Sequence, residues 1–253
     1  MKYILTVFAF VLSVTNLYGK SMDADSLIAV ANEAYINEEY AYSAELYEQI
    51  LDMDLESAKL YYNLGNAYFK DNKIGMSILN YERAKRIDPS NENIIHNLRV
   101  ANSRTVDKVE PVPELFYEKW WNSLKSMQNS DNWAISGIIF LFGFFFFTSL
   151  YLLSKKLLLK KIAFYISLLL LFLNILCFVF AYKTYKIQTS DNFAIVMSIR
   201  TIVKSSPSDT SPDVFVIHEG TKFKITNKIG EWIEIKLANG NVGWIKSDAT
   251  EII

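Results

Sequence analysis

The chain has one cysteine, Cys177, and two histidines, His96 and His218, in 253 residues. A lone cysteine forms no disulfide within its own chain, and Cys177 sits in an apolar run where it reads as a small buried side chain. No Cys-x-x-Cys or His-Glu-x-x-His pattern occurs, and no glycine-rich phosphate loop. The two histidines fall in separate segments, so nothing in the sequence assembles a catalytic or metal site. The expectation is a non-catalytic protein without cofactor or metal. Absence of cysteine near residue 20 argues against a lipid-anchored amino terminus. A net charge of -1, without a basic excess, implies no nucleic-acid partner.

Cations are missing from one long stretch. From Asp23 to Glu56 there are about ten carboxylates and no Lys or Arg, whereas Ala58 to Asn91 leans basic. Glu38, Glu39, Glu45 and Glu48 in that stretch read as solvated helix faces rather than a cation site. Residues 1–20 read as an export signal, with Lys2 ahead of an apolar run from Tyr3 to Leu17 and the small Gly19 and Ser21 after it. Cleaved or kept as an anchor, the signal exports the segment that comes after it.

Two long apolar runs, Ile135 to Leu153 and Ile162 to Tyr182, each approach the ~20 residues that a helix needs to cross a bilayer. Between them lies SKKLLLKK, residues 154–161, with Lys155, Lys156, Lys160 and Lys161. One continuous buried helix would place four lysines in hydrocarbon at about 2.5–3.5 kcal/mol each, on the order of 10 kcal/mol in all. The chain therefore turns at the lysines, and short Lys-dense loops stay cytoplasmic. That orientation leaves both flanking segments outside, in agreement with the export signal, on a bacterial cytoplasmic (inner) membrane whose outer face is periplasmic. Trp133, Tyr182 and Tyr185 fall at the outer ends, at headgroup level. Asn174, midway along the second run, requires a hydrogen-bond partner, for which Ser136, Thr148 and Ser149 are the candidates. Pro111 and Pro113 mark a linker within residues 106–132. There Phe116, Trp120, Leu124 and Met127 form one stripe of a short helix, which lies on the membrane surface or packs against its own domain.

Ahead of the membrane runs, ANEAYINEEYAYSAELYEQIL from Ala31 and GNAYFKDNKIGMSILNYERAK from Gly65 resemble each other at a spacing of 34 residues. A period of 34 built from paired helices is the tetratricopeptide signature. Tyr61, Leu64, Gly65, Tyr68, Ser77, Tyr81, Ala84 and Pro89 fill it in residues 58–91. Residues 24–57 are a degenerate first copy, and residues 92–105 a capping helix carrying His96 in a structural role. In this repeat family the first helix of each pair lines a groove that grips a peptide or protein. By that resemblance the partner-binding residues are Ile28, Asn32 and Tyr35, then Tyr62, Asn66, Phe69 and Lys70. Asn32 and Asn66 are suited to bonding a ligand backbone in both directions, since an amide both donates and accepts.

Residues 191–253 change texture to short alternating runs. In EWIEIKL alternate side chains point to opposite faces, and Asn239-Gly240 supplies a hairpin turn. Gly220, Trp232, Ile235, Leu237, Gly240, Gly243 and Trp244 carry a resemblance to bacterial SH3-like domains, which implies a small all-β barrel of five or six strands and cell-wall or protein binding. Trp232 and Trp244 read as core or rim rather than a ligand-stacking surface.

The expected fold class is thus a multi-domain membrane protein: an all-α helical repeat, a transmembrane hairpin over 135–153 and 162–182, and a C-terminal SH3-like barrel. This order resembles the BatE proteins of bacterial aerotolerance operons. The resemblance implies a membrane-anchored scaffold working with von Willebrand A-type membrane proteins and, indirectly, a MoxR-type ATPase. The alternative open at this point is a peptidoglycan-binding protein acting through the barrel.

Overall fold

In a computed structural model of the protein, which describes residues 24–113, 115–189 and 192–253, eight helices precede a β-sheet domain. The expected export segment at residues 1–20 lies outside the described residues. Helix α1 covers residues 24–36, followed by α2 (Tyr40–Leu51), α3 (Ala58–Lys70), α4 (Ile74–Ile87) and α5 (Glu92–Ser103). The two helix pairs are built alike. Each turns at a residue with left-handed backbone, Glu38 at φ 63° and Asn72 at φ 62°, one repeat period apart. In each, a small hydroxyl on the second helix bonds a backbone carbonyl of the first: Ser43 Oγ to Ala31 O and Ser77 Oγ to Gly65 O, both at 2.8 Å. Those bonds satisfy the buried serines and let the helices approach closely. Local caps set the ends of the elements. The Ser57 side chain accepts from the Leu60 amide, and Asn91 does the same at the start of α5. Helix α5 closes the open end of the second pair with Ile94, Leu98 and Ala101 buried, while His96 stays exposed.

Helices α6 (Phe116–Lys125), α7 (Ser130–Leu153) and α8 (Leu157–Gln188) follow. The connection between α7 and α8 is only residues 154–156, shorter than the 154–161 expected. Leu157 to Lys161 are already helical, because consecutive leucines and lysines are good helix formers. Helices α7 and α8 are long and apolar enough to cross a membrane, and only 6% and 22% of their most apolar windows are buried inside the protein. Such low burial is unlike the core helix of a soluble domain. Asn174 bonds the backbone carbonyl of Gly137, at 2.7 Å, and not the side chains of Ser136, Thr148 or Ser149. The reason is proximity: Gly137 has no Cβ, so α8 comes near enough that an added Cβ would sit 3.2 Å from Phe178. At the other end from the turn, Phe180 is fully buried between Trp121 and Trp133, with ring centroids 4.9 Å away in each case. The α6 stripe is not packed on its own domain. Phe116 is 85% exposed, Trp120 64% and Met127, just past the helix, 62%, while Leu124 is half-buried.

The C-terminal domain is an antiparallel sheet of seven strands rather than five or six. They are β1 (Phe193–Val196), β2 (Arg200–Lys204), β3 (Asp213–His218), β4 (Lys222–Ile229), β5 (Trp232–Lys236), β6 (Val242–Lys246) and β7 (Thr250–Ile252), in the order β3-β2-β6-β5-β4-β1-β7. Val203, Ile217, Phe223, Ile233, Ile235 and Ile245 form its core. Gly240 takes φ 91° in the β5–β6 turn, a conformation that favours glycine. The added strands β1 and β7 pair with each other at one edge, and that edge meets the helical repeat.

The repeat and the sheet share a hydrophobic cluster, with Ile195 and Ile253 packed among Ile78, Leu79, Tyr81, Leu98 and Ala101. Around it, Lys222 Nζ lies 2.7 Å from Glu82, Arg83 bonds Glu251 at 3.1 Å, and the Gly75 amide donates to Glu219 at 2.9 Å. The first part of the linker is a strap rather than a spacer. Asp107 accepts from the His218 amide and the Thr221 hydroxyl, both at 2.7 Å, and faces His218 Nδ1 at 2.8 Å. An ionised carboxylate only accepts, so Nδ1 carries the shared proton. Farther along, Val109 packs against the sheet core and the Val112 amide bonds Ala238 O at 3.0 Å. The end of the hairpin away from the lysine turn joins the same body: Gln188 donates to Ile87 O at 3.3 Å and accepts from Ser130 at 2.7 Å. Repeat and sheet therefore both sit at the end of the hairpin opposite the lysine turn.

Candidate functional site

The sequence-derived groove residues lie on α1 and α3, whereas α4 holds the sheet, so the groove is left open. Tyr35, Asn66, Phe69 and Lys70 come together with Tyr81, Asn97 and Val100 around a cavity of about 160 Å³. Ile28 is half-buried against the first-repeat core, and Asn32 is exposed one repeat earlier; neither lines this cavity. Tyr62 stands behind it, accepting from Asn97 at 3.0 Å. At that size the cavity has room for one side chain, since sites for free small ligands usually run to about 300–1,000 Å³.

The two asparagines hold equivalent posts. Asn32 Oδ1 accepts from the Tyr47 hydroxyl at 2.7 Å, and Asn66 Oδ1 accepts from the Tyr81 hydroxyl at 2.6 Å and from Asn97 Nδ2 at 2.9 Å. Burial raises both phenols above their ordinary range, so they stay protonated donors. Asn66 Oδ1 thus has both acceptor positions engaged, whereas Asn32 Oδ1 accepts one bond and keeps a second. Around the cavity, Tyr35 packs edge-on to Tyr40 at 5.3 Å and Lys70 Nζ lies 6.0 Å from the Tyr40 ring. Arg104, at the end of α5, stacks its guanidinium 4.2 Å over the Phe69 ring. Sequence reasoning missed Arg104 and Asn97, because the capping helix was assigned only the job of covering apolar surface. Lys70 and the polar side chains of Asn66 and Asn97 line this cavity, and Arg104 stands beside it over Phe69.

In the sheet, Trp232 and Trp244 are 8% and 9% exposed, and Lys246 Nζ lies 5.4 Å from the Trp232 ring. They offer no open stacking face.

These features define the class: an N-terminal helical repeat region, two long apolar helices, and a C-terminal antiparallel SH3-type sheet. Residues 58–91 match the family described as Tetratricopeptide repeat, and residues 199–251 match the family described as Bacterial SH3 domain. Comparison of the chain with curated proteins returns no match. The repeat match covers the second helix pair, and the repeated Ser, Tyr and Asn bonds place residues 24–57 in the same architecture.

Proposed function

We propose that the protein is a non-catalytic adaptor anchored in a bacterial cytoplasmic membrane, with its repeat groove holding a protein segment close to the outer face of the bilayer. The observation that carries this reading is the fusion of repeat, sheet and hairpin end into one body, with the groove helices left uncovered. Tetratricopeptide repeats bind proteins, and a groove fixed to a membrane hairpin favours a partner that is itself at the membrane. The resemblance to BatE proteins nominates von Willebrand A-type membrane proteins as that partner class, with a MoxR-type ATPase acting through them. Four lysines at the turn support a cytoplasmic turn with both soluble units exported. Burial of Trp232 and Trp244 disfavours a wall-binding role for the sheet, which serves here to brace the repeat.

The test is photocrosslinking in intact membranes from a reactive side chain at Phe69 or Lys70. Recovery of one membrane protein in high yield, lost when Asn66 and Arg104 are both replaced by alanine, is the expected result. Labelling confined to lipid or to this protein's own sheet would sink the proposal.

A further inference from the structure

A second cavity, of about 550 Å³, lies where α4, α6, the outer end of α8 and the sheet meet. Its volume is within the usual range of ligand sites. The walls carry Lys85 and Arg86 from α4, Lys119 and Lys125 from α6, and Lys222 from β4, against the single carboxylate side chain of Glu82. Glu82 is already neutralised by Lys222, and Arg86 bonds the Ile253 carbonyl. Among the described residues, Lys85 and Lys119 have no carboxylate within ion-pair distance. Thr184, only 6% exposed, also lines the cavity, and its hydroxyl has no hydrogen-bond partner among the described residues. Ile187 and Phe193 supply apolar wall beside these groups.

Depth identifies the ligand class. The α8 wall runs from Thr184 to Gln188, and at 1.5 Å rise per residue it stands roughly 3–9 Å beyond Tyr182, where the apolar run ends. The headgroup layer occupies about 5–8 Å on each side of the hydrocarbon. Helix α6 agrees with that level, since its exposed Phe116 and Trp120 suit lipid while Lys119, Asn122, Ser123 and Ser126 line the cavity. A cationic cavity at headgroup depth is complementary to a phosphodiester.

We propose that this cavity binds the phosphate headgroup of an anionic phospholipid of the outer leaflet. The inference rests on the reading of α7 and α8 as membrane-spanning. The full chain is reconstituted in nanodiscs or detergent and examined by native mass spectrometry with phosphatidylglycerol, with phosphatidylcholine, and with inorganic phosphate alone. Wild type should retain phosphatidylglycerol in preference to phosphatidylcholine. Lys85→Ala/Lys119→Ala should bind it roughly 30-fold more weakly, at about five-fold per lysine near an anionic surface. Lys155→Ala/Lys156→Ala, at the other end of the hairpin, should bind as wild type. Should the double variant misfold, Lys85→Ala and Lys119→Ala alone give the same comparison, with smaller losses expected. Equal retention of the two lipids, or of phosphatidylglycerol by wild type and variants, overturns the site. Equally tight binding of inorganic phosphate replaces the lipid with a soluble phosphate ligand and overturns it too. Carbonate extraction of native membranes separates the two failures: release of the chain refutes the spanning reading, whereas retention without lipid preference refutes the cavity alone.

Discussion

Gly65 and Ala31 occupy the same post in the two repeats, yet they face different constraints. An added Cβ at Gly65 would sit 2.7 Å from the Tyr81 ring, and Tyr81 is fully buried with its hydroxyl tied to Asn66. Retreat of the ring would strain that bond and its buried packing. Gly65→Ala is therefore expected to destabilise the repeat by about 1–3 kcal/mol, the usual cost of overpacking, even though alanine is the better helix former. Its check is the thermal midpoint by circular dichroism in detergent, with Ala31→Gly, which costs about 1 kcal/mol through propensity alone, as the comparison. Asp107 acts at the same scale. Burial alone would raise its carboxyl, but the bonds from Thr221 and from the His218 side chain and amide outweigh it and hold the group below its ordinary value of 3.8. A depressed folded value means that the strap's contribution is complete above that ordinary value and fades as pH falls through the lower, folded one. Proteolysis within residues 106–113 should accordingly accelerate only in strongly acid solution for wild type. Asp107→Asn should cleave faster at neutral pH and lose the acid step. A wild-type strap equally resistant throughout would show that Asp107 does not hold it.

Among the elements, the α7–α8 hairpin is the most apolar. Midway between α7 and α8 the bond from Asn174 to Gly137 O is buried, while Ser130 and Gln188 bond at the end of the pair. Bonds of this kind in membranes average about 0.6 kcal/mol and reach about 1.7. Asn174→Leu should thus lower the thermal midpoint slightly without separating the helices, whereas Gly137→Ile, which forces a branched chain against Phe178 and Cys177, should loosen the pair more. A larger loss from Asn174→Leu than from Gly137→Ile would reverse this account. The hairpin also shows what can be read from residues alone. Apolar length, the lysine turn and the 34-residue period are patterns within one stretch of chain, and each marks its element directly. Gly65, Ser77 and Tyr81 were legible for the same reason. Strands β1 and β7, the Asp107 strap and Arg104 over Phe69 were not. They depend on partners brought together only by folding, such as Gly75 with Glu219 or Asp107 with His218, and nothing in either local sequence names the other. Asn174 falls between these cases, since its need of a partner was evident from burial in hydrocarbon and the identity of that partner was not.

For the molecule as a whole, the decisive contact is the one between α4 and the edge of the sheet, because it fixes the groove, the strap and the hairpin end relative to one another. At its margin the Glu82 side chain is 10% exposed and that of Lys222 37%, so the pair is screened on one side only. Breaking it should cost more than the ~1 kcal/mol of an exposed pair and less than the ~3–5 kcal/mol of a fully buried one. Glu82→Lys places two cations together beside Lys85 and Arg86 and should lift the sheet from the repeat. Lys222→Glu alone places two carboxylates together and should do the same, while the exchanged pair Glu82→Lys/Lys222→Glu should restore docking. Trypsin reads the outcome at Lys108, whose ammonium bonds Ser103 O and Thr105 O, each at 2.8 Å, in the docked strap. Cleavage there should be slow in wild type, fast in either single variant and slow again in the exchange. Crosslinking at Lys70 should weaken in the single variants only if the sheet braces the repeat. Cleavage equally fast in all four proteins would mean that the two domains move independently and that the groove is not presented as part of a rigid body, whereas cleavage equally slow in all four would mean that the Glu82–Lys222 pair does not hold the docking.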